Sequence, residues 1–202
     1  MKKANGAPAP APRGRPRSFD RDAALERAMQ VFWRQGYEAT SVSDLTRAMD
    51  INPPSLYAAF GDKEHLYLAA LERYAQGRRE SLEQILQQTP SAKQAIERLL
   101  LAAAHDLTSA DCRGCMLSTA QCGDEHLQSA LAERRNAPKR ALKERFQRAV
   151  REGELPRSTD TGALADFYTT VFQGMAMQAR DGAPRKGLVA TARAAMRAWP
   201  KG

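Results

Sequence analysis

The sequence predicts an all-α fold, and three observations carry that prediction. Apolar residues recur at three- and four-residue spacing along nearly the whole chain, no segment alternates with the period of a strand, and helix-capping residues open successive periodic stretches. The expected order is a three-helix unit with a helix-turn-helix at the N-terminal end, followed by a larger helical region. At 202 residues, 43% hydrophobic and 27% charged, the chain can build one large or two small cores. No apolar run approaches the roughly 18 to 20 residues that a membrane helix needs, so no membrane partner is expected. Without an apolar signal segment after Lys2 and Lys3, the cytoplasm is the expected compartment.

From Asp20, a helix cap, Leu25, Ala28, Met29 and Phe32 form the apolar stripe of a first helix, which Gly36 stops. Ser41 and Asp44 have capping-box spacing, with a shorter acid than usual, and open a short second helix presenting Leu45, Ala48 and Met49. Asp50-Ile51-Asn52 breaks the pattern. Asn52 then caps a third helix with Pro53 at its first position, where a missing N–H costs little. Leu56 and Phe60 lie four apart on its inward face, Gly61 ends it, and Asp62 caps a long fourth helix over about 63–88. Leu66, Ala70, Tyr74, Leu82 and Ile85 are among that helix's apolar positions, and Thr89-Pro90 terminates it.

Helices as short as the second and third gain little from their own hydrogen bonds, so their exposed faces are expected to serve docking. Ser55, Tyr57, Ala58 and Ala59 lie off the Leu56/Phe60 seam and fit a major groove about 12 Å wide. The net charge of +8 is concentrated beside this unit. Residues 1–17, expected to be a disordered basic arm, hold five cations and no acid, leaving +3 for the rest. Lys and Arg in such density release counterions from a phosphate backbone. Arg13-Gly14-Arg15-Pro16-Arg17 resembles an AT-hook core, which lies in a narrow, strongly negative A·T-rich minor groove.

The segment 32–41 (FWRQGYEATS) together with 56–66 (LYAAFGDKEHL), within 23–71, resembles the TetR/AcrR family of transcriptional regulators. The resemblance implies a homodimer, a DNA-binding domain over 18–64, and an effector-binding and dimerisation domain over 65–202. It implies that Thr40 and Ser41 hold phosphates and that Ser43 and Arg47 lie near the DNA backbone. It further implies that Pro53, Pro54, Ser55, Tyr57 and Ala58 form the groove face, with Lys63 clamping a phosphate. The groove face is less polar here than the family pattern, so the arm residues Arg13, Arg15 and Arg17 are expected to carry more of the sequence preference.

Beyond Pro90, Ser91 opens a helix to about 108, and a short helical stretch covers 116–122. A charged helix follows over about 124–152, with Pro138 near an expected kink and a solvated face bearing Arg134, Arg135, Lys139, Arg140, Lys143, Glu144 and Arg145. Two final helices cover about 159–180 and 183–199, and the family resemblance implies that they pair across a two-fold axis as a four-helix bundle, with dimer-interface positions at Phe167, Val171, Gly174, Met175, Leu188, Ala192, Ala195 and Met196.

Three cysteines leave packing, redox and metal readings open. Cys112-x-x-Cys115 with Cys122, and His105 and His126 nearby, supply ligand types for a soft or zinc-like ion, but a second paired ligand set is missing. Cys115 near a helix start and beside Arg113 has a setting that favours the thiolate, with Cys112 or Cys122 available to resolve an oxidised form. No phosphate loop, HExxH pair or nucleophile elbow is present. The expected protein is therefore no enzyme and needs no cofactor or metal. It is a homodimeric repressor on a palindromic double-stranded operator, released by an unidentified small molecule or by cysteine modification. A thiol- or metal-responsive sensor and an architectural A·T-rich DNA binder are the alternatives.

Overall fold

The structure, a computed structural model, describes residues 19–109, 114–121 and 123–200, which form nine helices and no strand among the described residues. Arg13, Arg15, Arg17, Cys112, Arg113 and Cys122 lie outside the described residues. Helix α1 (Arg21–Gln35) starts where the Asp20 carboxylate accepts from the Asp22 and Ala23 N–H groups. Helix α2 (Val42–Met49) has both halves of a capping box: Asp44 N–H donates to Ser41 Oγ and Ser41 N–H donates to Asp44 Oδ2, each at 3.1 Å. Helix α3 (Pro53–Phe60) is capped by Asn52 Oδ1, which accepts from Ser55 N–H at 2.8 Å. Between α2 and α3, Asp50 adopts φ 57°, a left-handed conformation that Asp tolerates better than most side chains.

Helix α4 (Lys63–Gln88) runs through both halves of the molecule. Its first turns close the N-terminal core, where Leu66, Tyr67, Ala70 and Tyr74 are buried with Phe32, Leu45, Met49, Leu56 and Phe60. Leu82 and Ile85, farther along, are only partly buried, because a cavity opens beside them. Around that second half stand α5 (Ala92–Asp106), α6 (Met116–Thr119), α7 (Glu125–Arg151), α8 (Thr161–Arg180) and α9 (Arg185–Met196). Pro138 lies inside α7 and the helix continues through it.

Two sequence expectations change here. The charged face of α7 is not all solvated: Arg145 is buried, and its Nη2 donates to Glu154 Oε1 at 2.9 Å. Glu154 also accepts from Ala92 N–H, tying the start of α5 to α7. Burial pushes the Glu154 carboxyl up, but the Ala92 N–H and the Arg145 guanidinium outweigh it and hold the group below the usual carboxylate range. Of the dimer-interface positions, Met175, Leu188, Ala192 and Ala195 are buried inside the protomer. Their helices pack on α5 and α7 as well as on each other, so this apolar stripe is already covered without a second chain.

Candidate DNA interface and ligand cavity

The outward side of the helix-turn-helix is shallow and polar at its edge and apolar at its tip. Pro53, Pro54, Tyr57 and Ala58 are exposed on α3, with Tyr57 half open to solvent at 50%, while Leu56 and Phe60 anchor the helix from behind. Ser43, Arg47, Asn52 and Ser55 share one surface depression with Phe19. Arg47 projects from α2 with a side chain 78% exposed, held loosely toward Asp44 at 3.8 Å. The backbone N–H groups of the α2 N-terminus lie beside exposed Ser41, a setting suited to a phosphate.

Thr40 is placed differently from its expected role. It is 1% exposed, and its hydroxyl donates to Gly36 O at 2.6 Å, so the side chain braces the α1–α2 turn. Lys63 Nζ sits 4.3 Å from the Tyr37 ring centroid, a cation–π contact at the start of α4. The sequence reading missed Arg21 and Arg27. The Arg21 guanidinium stands 4.6 Å from the Phe60 ring centroid, and Arg27 Nη1 donates to Met49 O at 3.3 Å, meeting a terminal carbonyl of α2. Cations in the first helix whose partners lie more than 20 residues away carry no local signal.

The second site is a cavity of about 140 Å³ enclosed by α4, α5, α6, α7 and α8. Apolar side chains, among them Leu82, Ile85, Ile96, Leu99 and Phe172, make most of its wall. Cys115 lines it and is 4% exposed, with the Tyr74 hydroxyl close to Cys115 and Met116. Burial, foremost, pushes the Tyr74 hydroxyl far above its usual range. Gly114 sets this corner: its φ is +84°, and a Cβ there would stand 3.0 Å from Ala176 O. Arg135 holds α6 in place by donating to Leu117 O and Ala120 O, both at 2.6 Å.

His126, considered as a partner of the cysteines, instead brings Nδ1 to 2.9 Å from Glu64 Oε1. Glu64, Asp124 and His126 are the group whose ligand-type atoms lie within 4.8 Å of one another among the described residues. Exposed His105 pairs with Asp106 at 3.3 Å. The Glu64–His126 pair and the Gly123 N–H donating to Glu38 fasten the helix-turn-helix to the start of α7. On α8, Phe167 and Met177 are exposed at 39% and 44%, Gly174 is exposed and Val171 half-buried; on α9, Met196 is half-buried.

A short, buttressed reading helix with an open face, joined by one continuous helix to a cavity-bearing helical body, defines a helix-turn-helix DNA-binding transcriptional regulator. Residues 24–70 match the family model for bacterial regulatory proteins of the tetR family. The chain is 36% identical over 195 residues to the HTH-type transcriptional repressor ComR of Escherichia coli K12, covering 94% of this chain and 93% of that protein. It is 32% identical to the repressor BdcR of the same organism over 181 residues, 89% and 88% of the two chains. A solved structure of a triple-cysteine variant of the TetR family regulator CifR, complexed with 26-base-pair double-strand operator DNA, superposes with a TM-score of 0.89. That protein is 43% identical, over 93% of this chain and all of that one. This chain belongs to the TetR family.

Proposed function

We propose that a homodimer of this chain represses transcription by placing its two α3 helices in successive major grooves of a palindromic operator, about 34 Å apart. The observation that carries this reading is the half-exposed Tyr57 on an α3 whose other large side chains are buried behind it. Similarity to two repressors over most of both chains, and to a regulator solved on operator DNA, supports it. Ser41, Ser43, Arg47 and Lys63 hold the phosphate backbone, and Pro53, Pro54, Ser55, Tyr57 and Ala58 meet the groove. Thr40 acts through the turn it braces. Arg13, Arg15 and Arg17 enter the flanking minor groove, as their AT-hook-like sequence and charge suit. Phe167, Val171, Gly174 and Met196, joined by Met177, form the dimer face.

The protein acts in the cytoplasm as a non-catalytic switch. A ligand in the cavity favours a protomer arrangement in which the two reading helices no longer match the groove spacing, and only a difference in affinity between the two arrangements drives that shift. Helix α4 transmits it, because Tyr74 touches the DNA-reading unit and Arg78, Ser81 and Leu82 line the cavity one to two turns later. Modification of Cys115 is a second trigger at the same place, favoured by its position in the cavity wall beside Tyr74.

Footprinting of the DNA upstream of its own gene tests the reading. A protected palindrome with half-sites one helical turn apart is expected. Protection that follows A·T content without a palindrome would replace it with architectural binding.

A further inference from the structure

The cavity wall is apolar over most of its area, yet its charged residues do not balance. Arg78, Arg134 and Arg135 line it together with a single acid, Asp106. Asp106 pairs with Arg78 at 3.3 Å, and the Arg78 guanidinium stands 5.7 Å from the ring centroid of Phe172, itself part of the wall. Arg134 Nη2 lies 3.0 Å from Glu72 Oε2, but the other oxygen of that carboxylate lies 2.6 Å from Arg79 Nη2. One carboxylate thus serves two guanidinium groups. The hydrogen bond from Arg79, foremost, outweighs burial and holds the Glu72 carboxyl below the usual carboxylate range, so its one negative charge is present at neutral pH and divided between two partners.

Arg135 meets no carboxylate among the described residues. Its Nε and Nη2 donate to Leu117 O and Ala120 O, and carbonyl dipoles satisfy N–H groups without cancelling a full charge. Around one apolar space, therefore, four guanidinium groups stand against two carboxylates. Water screens this excess incompletely, since the Arg134 side chain is only 18% exposed and that of Arg78 32%. A positive excess beside an apolar wall attracts an anion and repels a cation, and the planar fork of arginine matches a carboxylate in shape. The apolar remainder of the wall, with Leu82, Ile85 and Leu99, rewards an anion that carries an apolar body over a small hydrated one. At about 140 Å³, the space is comparable to a cavity of ~150 Å³ known to hold benzene.

We infer that the cavity takes an amphipathic monocarboxylate, about one aromatic ring in bulk, whose apolar body meets Leu82, Ile85, Leu99 and Phe172 and whose negative charge supplies what Arg134 and Arg135 lack within the protein. This inference rests on the reading of the cavity as the effector site and names the class of effector.

Isothermal titration of the full-length, DNA-free protein with benzoate, benzamide and benzamidine tests it, since the three have nearly the same shape and are negative, neutral and positive at neutral pH. Benzoate is expected to bind about tenfold or more tighter than benzamide, and benzamidine weakest. Two variants move the charge balance in opposite directions. Arg134→Gln removes one cation while Glu72 keeps Arg79, and should bring benzoate down toward benzamide. Glu72→Gln removes the shared acid and should tighten benzoate by about threefold or more with benzamide unchanged, a gain that a misfolded variant does not give. Benzamide or benzamidine binding as tightly as benzoate, no binding of any probe, or an unaltered benzoate preference in both variants would overturn the inference. Operator-duplex anisotropy is read separately. Benzoate binding that leaves DNA affinity unchanged would support the ligand class and contradict the effector reading.

Discussion

The rings of Trp33 and Tyr74 meet edge to face, with centroids 5.0 Å apart and planes at 74°. Trp33 belongs to α1 of the DNA-reading unit, and the Tyr74 hydroxyl reaches Cys115 and Met116 at the cavity wall. One side chain thus touches both halves of the proposed switch. Tyr74→Phe keeps the aromatic contact and removes only the hydroxyl, so it should cost about 1 kcal/mol of stability and leave operator affinity intact. Release of the operator by a cavity ligand or by Cys115 modification should be blunted. Anisotropy of a labelled operator with and without the trigger checks this; full release in the variant would remove Tyr74 from the coupling route.

Tyr57→Ala separates reading from folding. The side chain is half exposed, so thermal stability should shift by no more than about 0.5 kcal/mol. Loss of its groove contact should weaken operator binding by about 1 to 3 kcal/mol. Sedimentation should still show a dimer. A variant that binds normally, or that fails to dimerise, would contradict the role given to Tyr57.

What was legible in the sequence is what is encoded locally. Asp20, Ser41, Asn52, Asp62 and Ser91 each accept from backbone N–H groups two or three residues ahead, and all five caps stand where the sequence places them. The exposed face of α3 follows from the Leu56/Phe60 seam for the same reason. Long-range pairing was not legible. Arg145 reads as one more surface cation because Glu154 meets it only after the chain turns back beyond α7. Met175 and Leu188 read as an interface because periodicity reports an apolar face without saying whether the same chain or a second copy covers it. The cavity was least visible, since its wall is assembled from five helices far apart in sequence.

The Arg145–Glu154 pair gives a pH signature. Because the folded Glu154 carboxyl titrates below its ordinary value, its stabilising contribution is present above about pH 4.3 and is lost as pH falls through the lower folded value. Glu154→Ala leaves Arg145 buried without its counter-charge and should cost about 3 kcal/mol at neutral pH. Urea denaturation across the acid range should show the gap between parent and variant narrowing as pH falls. A gap that stays constant with pH would assign the loss to packing instead of charge.

Met177 and Phe167 are large apolar side chains on the open side of α8. Met177→Glu should cost the protomer little, because the position is exposed, but should shift the dimer toward monomer at micromolar concentration by burying a charge at the interface. Analytical ultracentrifugation reads this directly. An unaffected dimer would move the interface away from this face.

The central claim is that two copies of this chain read a palindrome through α3. Its most direct test is fluorescence anisotropy of the purified protein on two duplexes of equal length and base composition, one carrying the upstream palindrome and one scrambled, at physiological salt. The account predicts two protomers per palindrome and a preference of about a thousandfold or more over the scrambled duplex. Equal affinity for both duplexes would contradict it.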